Sequence, residues 1–319
     1  MAVRPPPSRT LCPPPKPGGE ERTPVARIAI TGGTGFVGIH TTRALAAAGH
    51  ELRLLARGNR GGPRPAGAEW MRADVVTGDG LADGMRGCDA VVNLVAIIRE
   101  KGRQTFARVN AEGTANVARA AAEAGVGHLV HVSAIGVEPD PRYAYLASKW
   151  EGEQAVRGGT VPFTVLRPSL VFGPGDGFFT VLARLIRLNP VVPVVGDGRA
   201  LFQPISVSDL ARIVAICIER GPSRAVHEVG GPDQLTYEQI IDIIKAETGR
   251  VRRRNVHVPV GAMLPLAMVF EKVLPNPPVT PGQLRLLEKA NVTSPDAVVS
   301  QFGFEPLRFA ENADYLHEY

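Results

Sequence analysis

Cysteine is scarce in this 319-residue chain: Cys12, Cys88 and Cys217 stand far apart, with no pair at metal-ligand spacing. That pattern argues against a disulfide framework, and a reducing cytosol is the simplest compartment. Long apolar runs are also missing, since none reaches the ~18–20 residues a spanning helix needs. The nearest, Val260 to Leu274, is broken by Pro265 and carries Glu271 and Lys272. It reads as a core-packed helix, or as one that lies on a membrane surface or docks a partner. No strong charge excess exists, because 36 Lys and Arg stand against 31 Asp and Glu for a net +5. Nucleic acid is therefore not expected as a partner. The densest basic run, Arg250 to His257 (RVRRRNVH), reads as a solvated strand edge or loop, with a membrane surface or acidic partner as the sharper reading. Residues 1–24 lack the apolar core of a signal peptide, and their proline runs read as a disordered, extended tail. No internal repeat is evident, and the sequence carries no signature of an oligomeric state.

After that tail, short β-rich runs alternate with helical periods. Strands are expected at Arg27 to Ile30, Leu52 to Leu55, Glu69 to Arg72, Ala90 to Val95, His128 to Val132 and Thr164 to Arg167. Helices are expected over Gly35 to Ala48, Gln104 to Ala124 and Tyr145 to Arg157. This rhythm predicts βαβ units in an α/β fold, a doubly wound parallel sheet with helices on both faces. Beyond about Gly173, proline and glycine punctuate the chain, although Ala225 to Val229 returns as a strand. The expected division is a dinucleotide-binding domain over 25–172 plus about 205–230, and a smaller, interleaved substrate or partner region over 173–204 and 231–319.

TGGTGFVG, Thr31 to Gly38, joins the first strand to the first helix. Glycines at 32, 35 and 38 suit a tight turn and close approach to a pyrophosphate, with Thr34, Phe36 and Val37 completing the loop. The helix start adds free amides and a positive dipole end. In this position the triplet is a strong sign of a Rossmann-type dinucleotide site. A carboxylate ending the second strand would bind a ribose 2′-hydroxyl, whereas a 2′-phosphate wants arginine. Here the strand runs into Arg57 and Arg60 with no carboxylate before Glu69, so NADP(H) is favoured and NAD(H) is the alternative.

With TGGTGFVG, Asp74-Val75, Asn93-Leu94-Val95-Ala96, Tyr145-x-x-x-Lys149, LRPSLVFGPGD and ISVSDLA, the chain resembles the extended short-chain dehydrogenase/reductases of the NAD(P)-dependent epimerase/dehydratase type. Within that group it looks most like the atypical branch holding the nucleotide-binding accessory subunit of respiratory complex I and its bacterial relatives. The stretches that carry the narrower likeness are NLVAIIREKGRQTFARVNAEGTANVARAA, GHLVHVSAIGV and LPNPPVTPGQLRLLEKANV. The resemblance implies that Asp74 and Val75 meet the adenine, and that Val95 and Ala96 line the path to the nicotinamide. It also implies that Asn110 steadies the active-site helix and its water, that Tyr145 is the general acid/base, and that Lys149 holds the nicotinamide ribose. Pro168, Ser169 and Leu170 would lie near the nicotinamide end. Independently, residues four apart share a helix face, and an ammonium beside a phenol lowers a pKa that is otherwise near 10.

The family's usual hydroxyl after the fifth strand is in doubt. Ser133 is present, but Ala134 takes the catalytic slot if the glycine is aligned, and a methyl group cannot stabilise an oxyanion. His128 and His131 read as structural, and Asp176, Asp197 and Asp209 as caps or turn residues. No metal site is expected. Two functions compete. One is an NAD(P)-dependent oxidoreductase, or an epimerase or dehydratase using the cofactor transiently, acting on a small-molecule substrate that is quinone-, isoprenoid- or sugar-related. The other is a catalytically weak NADP(H)-holding accessory or assembly protein linked to complex I. The expected location is cytoplasmic, or peripheral at the inner face of the membrane.

Overall fold

The computed structural model describes residues 25–58, 67–274 and 279–319. The expected tail at 1–24, Cys12 and Arg60 lie outside the described residues. The strands are β1 (Arg27–Thr31), β2 (Glu51–Ala56), β3 (Glu69–Arg72), β4 (Ala90–Asn93), β5 (His128–Val132), β6 (Phe163–Pro168), β7 (Val171–Phe172), β8 (Val191–Val195), β9 (Leu201–Phe202), β10 (Ile205–Ser206), β11 (Val226–Val229), β12 (Leu235–Thr236) and β13 (Arg254–Val258). The helices are α1 (Phe36–Ala47), α2 (Leu81–Met85), α3 (Gly113–Glu123), α4 (Ala144–Arg157), α5 (Phe179–Leu188), α6 (Val207–Arg220), α7 (Tyr237–Glu247), α8 (Val260–Val273), α9 (Pro281–Leu286) and α10 (Ala297–Phe302).

Seven strands form one parallel sheet in the order β11-β6-β5-β4-β1-β2-β3. This is the Rossmann-type doubly wound sheet expected from the alternation of elements. Strand direction carries the chain outward from β1 through β2 to β3, then back to β4 on the other side. The carboxyl ends of β1 and β4 therefore flank the crevice where such sheets bind ligands. Side-chain alternation assigns the two faces. Ile28, Ile30, Val92, Val130 and Leu166 point into a core with α1 and α6, while Ala29, Val91, Leu129 and Val165 point into one with α2, α3 and α4.

A third core belongs to the later part of the chain, where Phe172, Phe179 and Phe309 meet edge to face or tilted among residues of α5, α7, α8 and α9. This part is more regular than its proline and glycine content predicts. Three two-stranded sheets, β10-β7, β12-β9 and β13-β8, stitch it together. Thr236 and Thr280 each start a helix with a reciprocal capping box, to Gln239 and Gln283. Asp176 likewise accepts the amides of Phe178, Phe179 and Thr180, and its second oxygen takes the Tyr315 hydroxyl. Asp209 accepts the Leu307 amide, and Asp197 closes a turn onto Arg199.

Several boundaries shift by one residue, and three departures are larger. β4 stops at Asn93, two residues early, where the Val95 amide bonds the Asn93 side chain beside the glycine turn after β1. The helix expected over Gln104 to Ala124 is split: a π-helical turn covers Ala107–Glu112 before α3 begins. The C-terminal segment is not confined to the smaller region, since Val298, Phe302 and Phe304 join the core of Ile28 and Ile30. No helix among the described residues is long and apolar enough to cross a membrane, and no His, Cys, Asp and Glu cluster among them is arranged for a metal. Truncating Phe302, buried in that first core, to alanine is expected to lower the unfolding free energy by about 3–5 kcal/mol. Urea titration followed by circular dichroism measures it.

Candidate active site

The turn between β1 and α1 is built for close backbone approach. Gly32 has φ +76°, and a Cβ there would lie 2.9 Å from the Leu94 and Val95 backbone. A Cβ on Gly38 would lie 2.1 Å from the Gly32 carbonyl oxygen, so α1 can seat on the turn only without one. Gly35 opens α1 with no side-chain cap and no acidic residue in the first turn. The first amides of α1 are thus left for an external acceptor such as a phosphate.

Beneath the turn lies a buried polar cluster. The Thr31 hydroxyl donates to Asn93 Oδ1 at 2.7 Å, and the Val95 amide donates to the same oxygen at 3.3 Å. Those two donors orient the amide, so Asn93 Nδ2 faces His131 Nδ1 at 3.1 Å. His131 Nδ1 must then accept, which leaves its proton on Nε2 and the ring neutral. Burial, reinforced by the Lys149 charge, holds this imidazole well below its ordinary value. His128 is also neutral; it bonds Thr164 Oγ1 at 3.0 Å, and burial pushes it down to about 4.

Tyr145, Lys149 and Glu153 follow at four-residue spacing along α4. Lys149 Nζ donates to the Val132 carbonyl at 2.7 Å, tying the helix to the end of β5. Glu153 is fully buried and takes both arms of Arg167, from β6, at 2.9 and 2.7 Å. Gly152 lets α4 approach the π-helical turn, because a Cβ there would come within 2.5 Å of the Asn110 carbonyl. The Asn110 side chain completes the joint: Oδ1 accepts the Ile97 amide at 2.9 Å, and Nδ2 donates to the Ile97 carbonyl and to Ser148 Oγ. Ser148 Oγ in turn donates to the Tyr145 carbonyl at 2.7 Å.

Burial dominates the electrostatics of the pair. It pushes the Tyr145 phenol up to about 12. It brings the Lys149 ammonium down to about 8, against the opposing pull of Glu153. The expected lowering of the tyrosine by its lysine is therefore corrected for the protein's own side chains: desolvation outweighs the nearby charge.

A cavity of about 520 Å³ runs from the glycine turn into the C-terminal region. Of the residues singled out from sequence, Gly32, Gly35, Phe36, Val37, Gly38, Ala96, Ser133, Tyr145, Lys149, Pro168 and Leu170 line it together. Thr34, Arg57, Asp74, Val75, Val95 and Asn110 do not. Asp74 spends one carboxylate oxygen on the Val76 amide at 2.8 Å, and the Val75 carbonyl accepts Asn116 Nδ2 at 2.9 Å. Arg57 is exposed just past β2. With the Gln104 amide turned oxygen-first, both terminal nitrogens of Arg57 reach it at 2.6 and 2.8 Å. Ser133 and Ala134 both line the cavity, and Ser133 Oγ is buried with no partner among the described residues.

Lys289 and Asn291 are among the polar residues of this cavity that sequence reasoning missed. Lys289 Nζ donates to the Gly136 carbonyl at 3.2 Å and to the Glu138 carboxylate. Asn291 Nδ2 donates to the Ile135 carbonyl at 3.3 Å, and its Oδ1 is buried without a partner among the described residues. Their partners lie some 150 residues away in sequence, and the only local signal was the stretch LRLLEKANV itself. The apolar wall contributed by α5, α8 and α9 was likewise not legible from spacing.

Residues 28–230 match the model of the NAD dependent epimerase/dehydratase family. The chain is 34% identical to a ceramide reductase of Caulobacter vibrioides over 198 residues, which cover 60% of this chain and 60% of that protein. It is 26% identical over 242 residues to the mitochondrial NADH-ubiquinone oxidoreductase 40 kDa subunit of Neurospora crassa, covering 75% of this chain and 62% of that subunit. The match thus spans about 60% of the length of either relative. Among solved structures it resembles the dTDP-glucose 4,6-dehydratase DesIV of Streptomyces venezuelae with NAD and TYD bound. That likeness has a TM-score of 0.73 at 20% identity and covers 92% of this chain and 96% of that one, and it shows the fold.

Replacing Gly152 with alanine is expected to force α4 away from the turn at 107–112 and to lower stability by about 1–3 kcal/mol, as overpacking of a tight contact does. Urea unfolding measures it, and unchanged stability would show that helix and turn separate freely.

Proposed function

The chain belongs to the NAD dependent epimerase/dehydratase family, and from that premise we propose that it is an NADP(H)-preferring reductase of a carbonyl group carried by a long apolar molecule, a lipid or an isoprenoid. The observation that carries this reading is the cavity wall. Past Tyr145 and Lys149 it is built from Phe178, Leu182, Phe202, Met263, Leu284 and Leu287. Among the described residues no arginine, aspartate, glutamate or histidine lines it, and its second lysine is already engaged by Glu138. A sugar diphosphate would need cationic partners for its phosphates, so an apolar substrate fits better. The similarity to a ceramide reductase supports the same class.

The residues present fit a dinucleotide. The glycine turn and the uncapped start of α1 would hold the diphosphate, Asp74 and Val75 the adenine, and Val95 and Ala96 the path between. Arg57 would meet a ribose 2′-phosphate, which favours NADP(H). Asn110 would steady α4, and Pro168 and Leu170 would border the reacting end. When bound, the nicotinamide supplies the hydride. Tyr145 carries its proton at neutral pH, burial having pushed it up to about 12, and would give it to the carbonyl oxygen with the Lys149 charge offsetting the burial that weakens it as an acid. Ser133 Oγ, lacking a partner, would donate to that oxygen. Lys149 would hold the ribose while its ammonium favours the phenolate left behind.

A second reading, an NADP(H)-holding accessory protein of a respiratory complex, is favoured by Ala134 beside the β5 end and by the similarity to the 40 kDa subunit. The assay that separates the two follows NADPH consumption with a panel of long-chain ketones and prenylated quinones. Turnover lost by about 10²–10⁴-fold in Tyr145→Phe is the expected result, and tight NADPH retention with no turnover on any ketone would favour the accessory role. The reductase rate is expected to hold below about pH 8 and to fall above it as Lys149 loses its proton; a flat profile through pH 9 would remove Lys149 from the mechanism. Arg57→Asp is expected to weaken NADPH binding about tenfold or more while sparing NADH, the scale of a lost charge-assisted hydrogen bond, as titration calorimetry would read.

A further inference from the structure

α8 turns its apolar face outward. Leu266, Val269 and Val273, at spacings of three and four, are 54%, 55% and 71% exposed, while Val260 and Ala267 on the opposite side are buried. Ala262 continues the outer stripe, and Lys272 borders it. A folded chain rarely leaves such a stripe in water without a use for it. With 14 residues the helix is about 21 Å long; it is too short to span a bilayer but suited to lying in its interface.

β13 leads into α8 through Pro259 alone. Arg250, Arg252 and Arg254 are exposed along that approach, with Val251 exposed among them and Val256 exposed just beyond. Arg254 pairs in register with exposed Val191. Arg253 donates to the Arg187 and Asn189 carbonyls, which brings the 81%-exposed Leu188 alongside. Nearby carboxylates do not cancel this charge. Asp242 is paired with Lys245, Glu238 faces Asn255 and His257 on the other side of the strand from Arg254, and Glu271 lies on the opposite side of α8 from Val269 and Val273.

We propose that the outer face of α8, together with the arginine-rich edge of β13, docks on an anionic lipid bilayer. The apolar stripe enters the headgroup boundary, and the guanidiniums meet the lipid phosphates, each basic residue near such a surface strengthening binding about fivefold. Charge complementarity selects this occupant, because an uncharged apolar partner would leave the arginines without a role. Met263, on the inner side of the same helix, lines the cavity. On the reductase reading, an apolar substrate would thus pass from lipid to cavity along α8; docking itself does not depend on that reading.

Flotation with vesicles of phosphatidylcholine alone, or mixed with phosphatidylglycerol, tests it on the full chain. The wild type is expected to float with mixed vesicles and to bind neutral ones at least about tenfold more weakly. Val269→Glu combined with Val273→Glu should abolish flotation, and Arg252→Glu combined with Arg254→Glu should erase the preference for anionic lipid. A fluorophore on Leu266→Cys in a Cys12→Ser background, where the remaining Cys88 and Cys217 are buried, should shift to the blue on mixed vesicles even if a glutamate variant folds poorly. No flotation, no blue shift, or undiminished flotation of the valine variant would overturn the proposal. So would a dimer that the valine variant dissociates, which would mark the face as a contact between copies. Loss of flotation would leave the NADPH assay untouched, so the two readings fail separately.

Discussion

α4 has to carry a phenol and an ammonium away from water, and the ion pair between its Glu153 and Arg167 of β6 is the anchor that lets it do so. The carboxylate is fully buried and takes both arms of the guanidinium. Such pairs add little net stability, because desolvation offsets the attraction, but losing one partner strands a charge. Their use is in setting register. Glu153 stands one turn from Lys149 and two from Tyr145, so seating the carboxylate seats all three. It also opposes the desolvation of Lys149, which keeps that group at about 8 instead of lower. One side chain thus positions the helix and helps to keep its ammonium charged.

Around that anchor, low polarity decides more than charge does. The phenol goes up, the ammonium goes down, and the imidazole of His131 stays neutral. Asn93 fixes that imidazole's tautomer from one side, so the Thr31, Asn93 and His131 cluster beneath the glycine turn carries no net charge. The cavity continues the trend into an apolar wall. On the proposed reading the dry setting holds the proton on the tyrosine until the nearby ammonium helps it leave, and the same dryness admits a substrate with little polarity.

Much of the sheet was legible because parallel strands buried on both faces are nearly continuous apolar runs. β3 and β5 fall where they were expected, and α4 begins one residue early. Non-local contacts account for the rest. β4 ends early where the Val95 amide bonds the Asn93 side chain, beside a glycine turn some sixty residues upstream. The π-helical turn is hidden in an alanine-rich period that suits a regular helix equally well, and its contacts, Asn110 against Ile97 and Gly152, form only in the packed chain. Tyr145 and Lys149 were found from their spacing and their setting beside the turn, but burial, which sets the direction of both pKa shifts, is a property of the packed chain. Lys289 and Asn291 carry no local sign of where they land.

The seam between Val298, Phe302 and Phe304 and the first strand has a consequence for biosynthesis. Ile28 and Ile30 leave the ribosome some 270 residues before the side chains that finish their side of the core. A nascent chain must carry that half-finished surface while those residues are added, a period in which chaperones rather than native contacts would have to shield it.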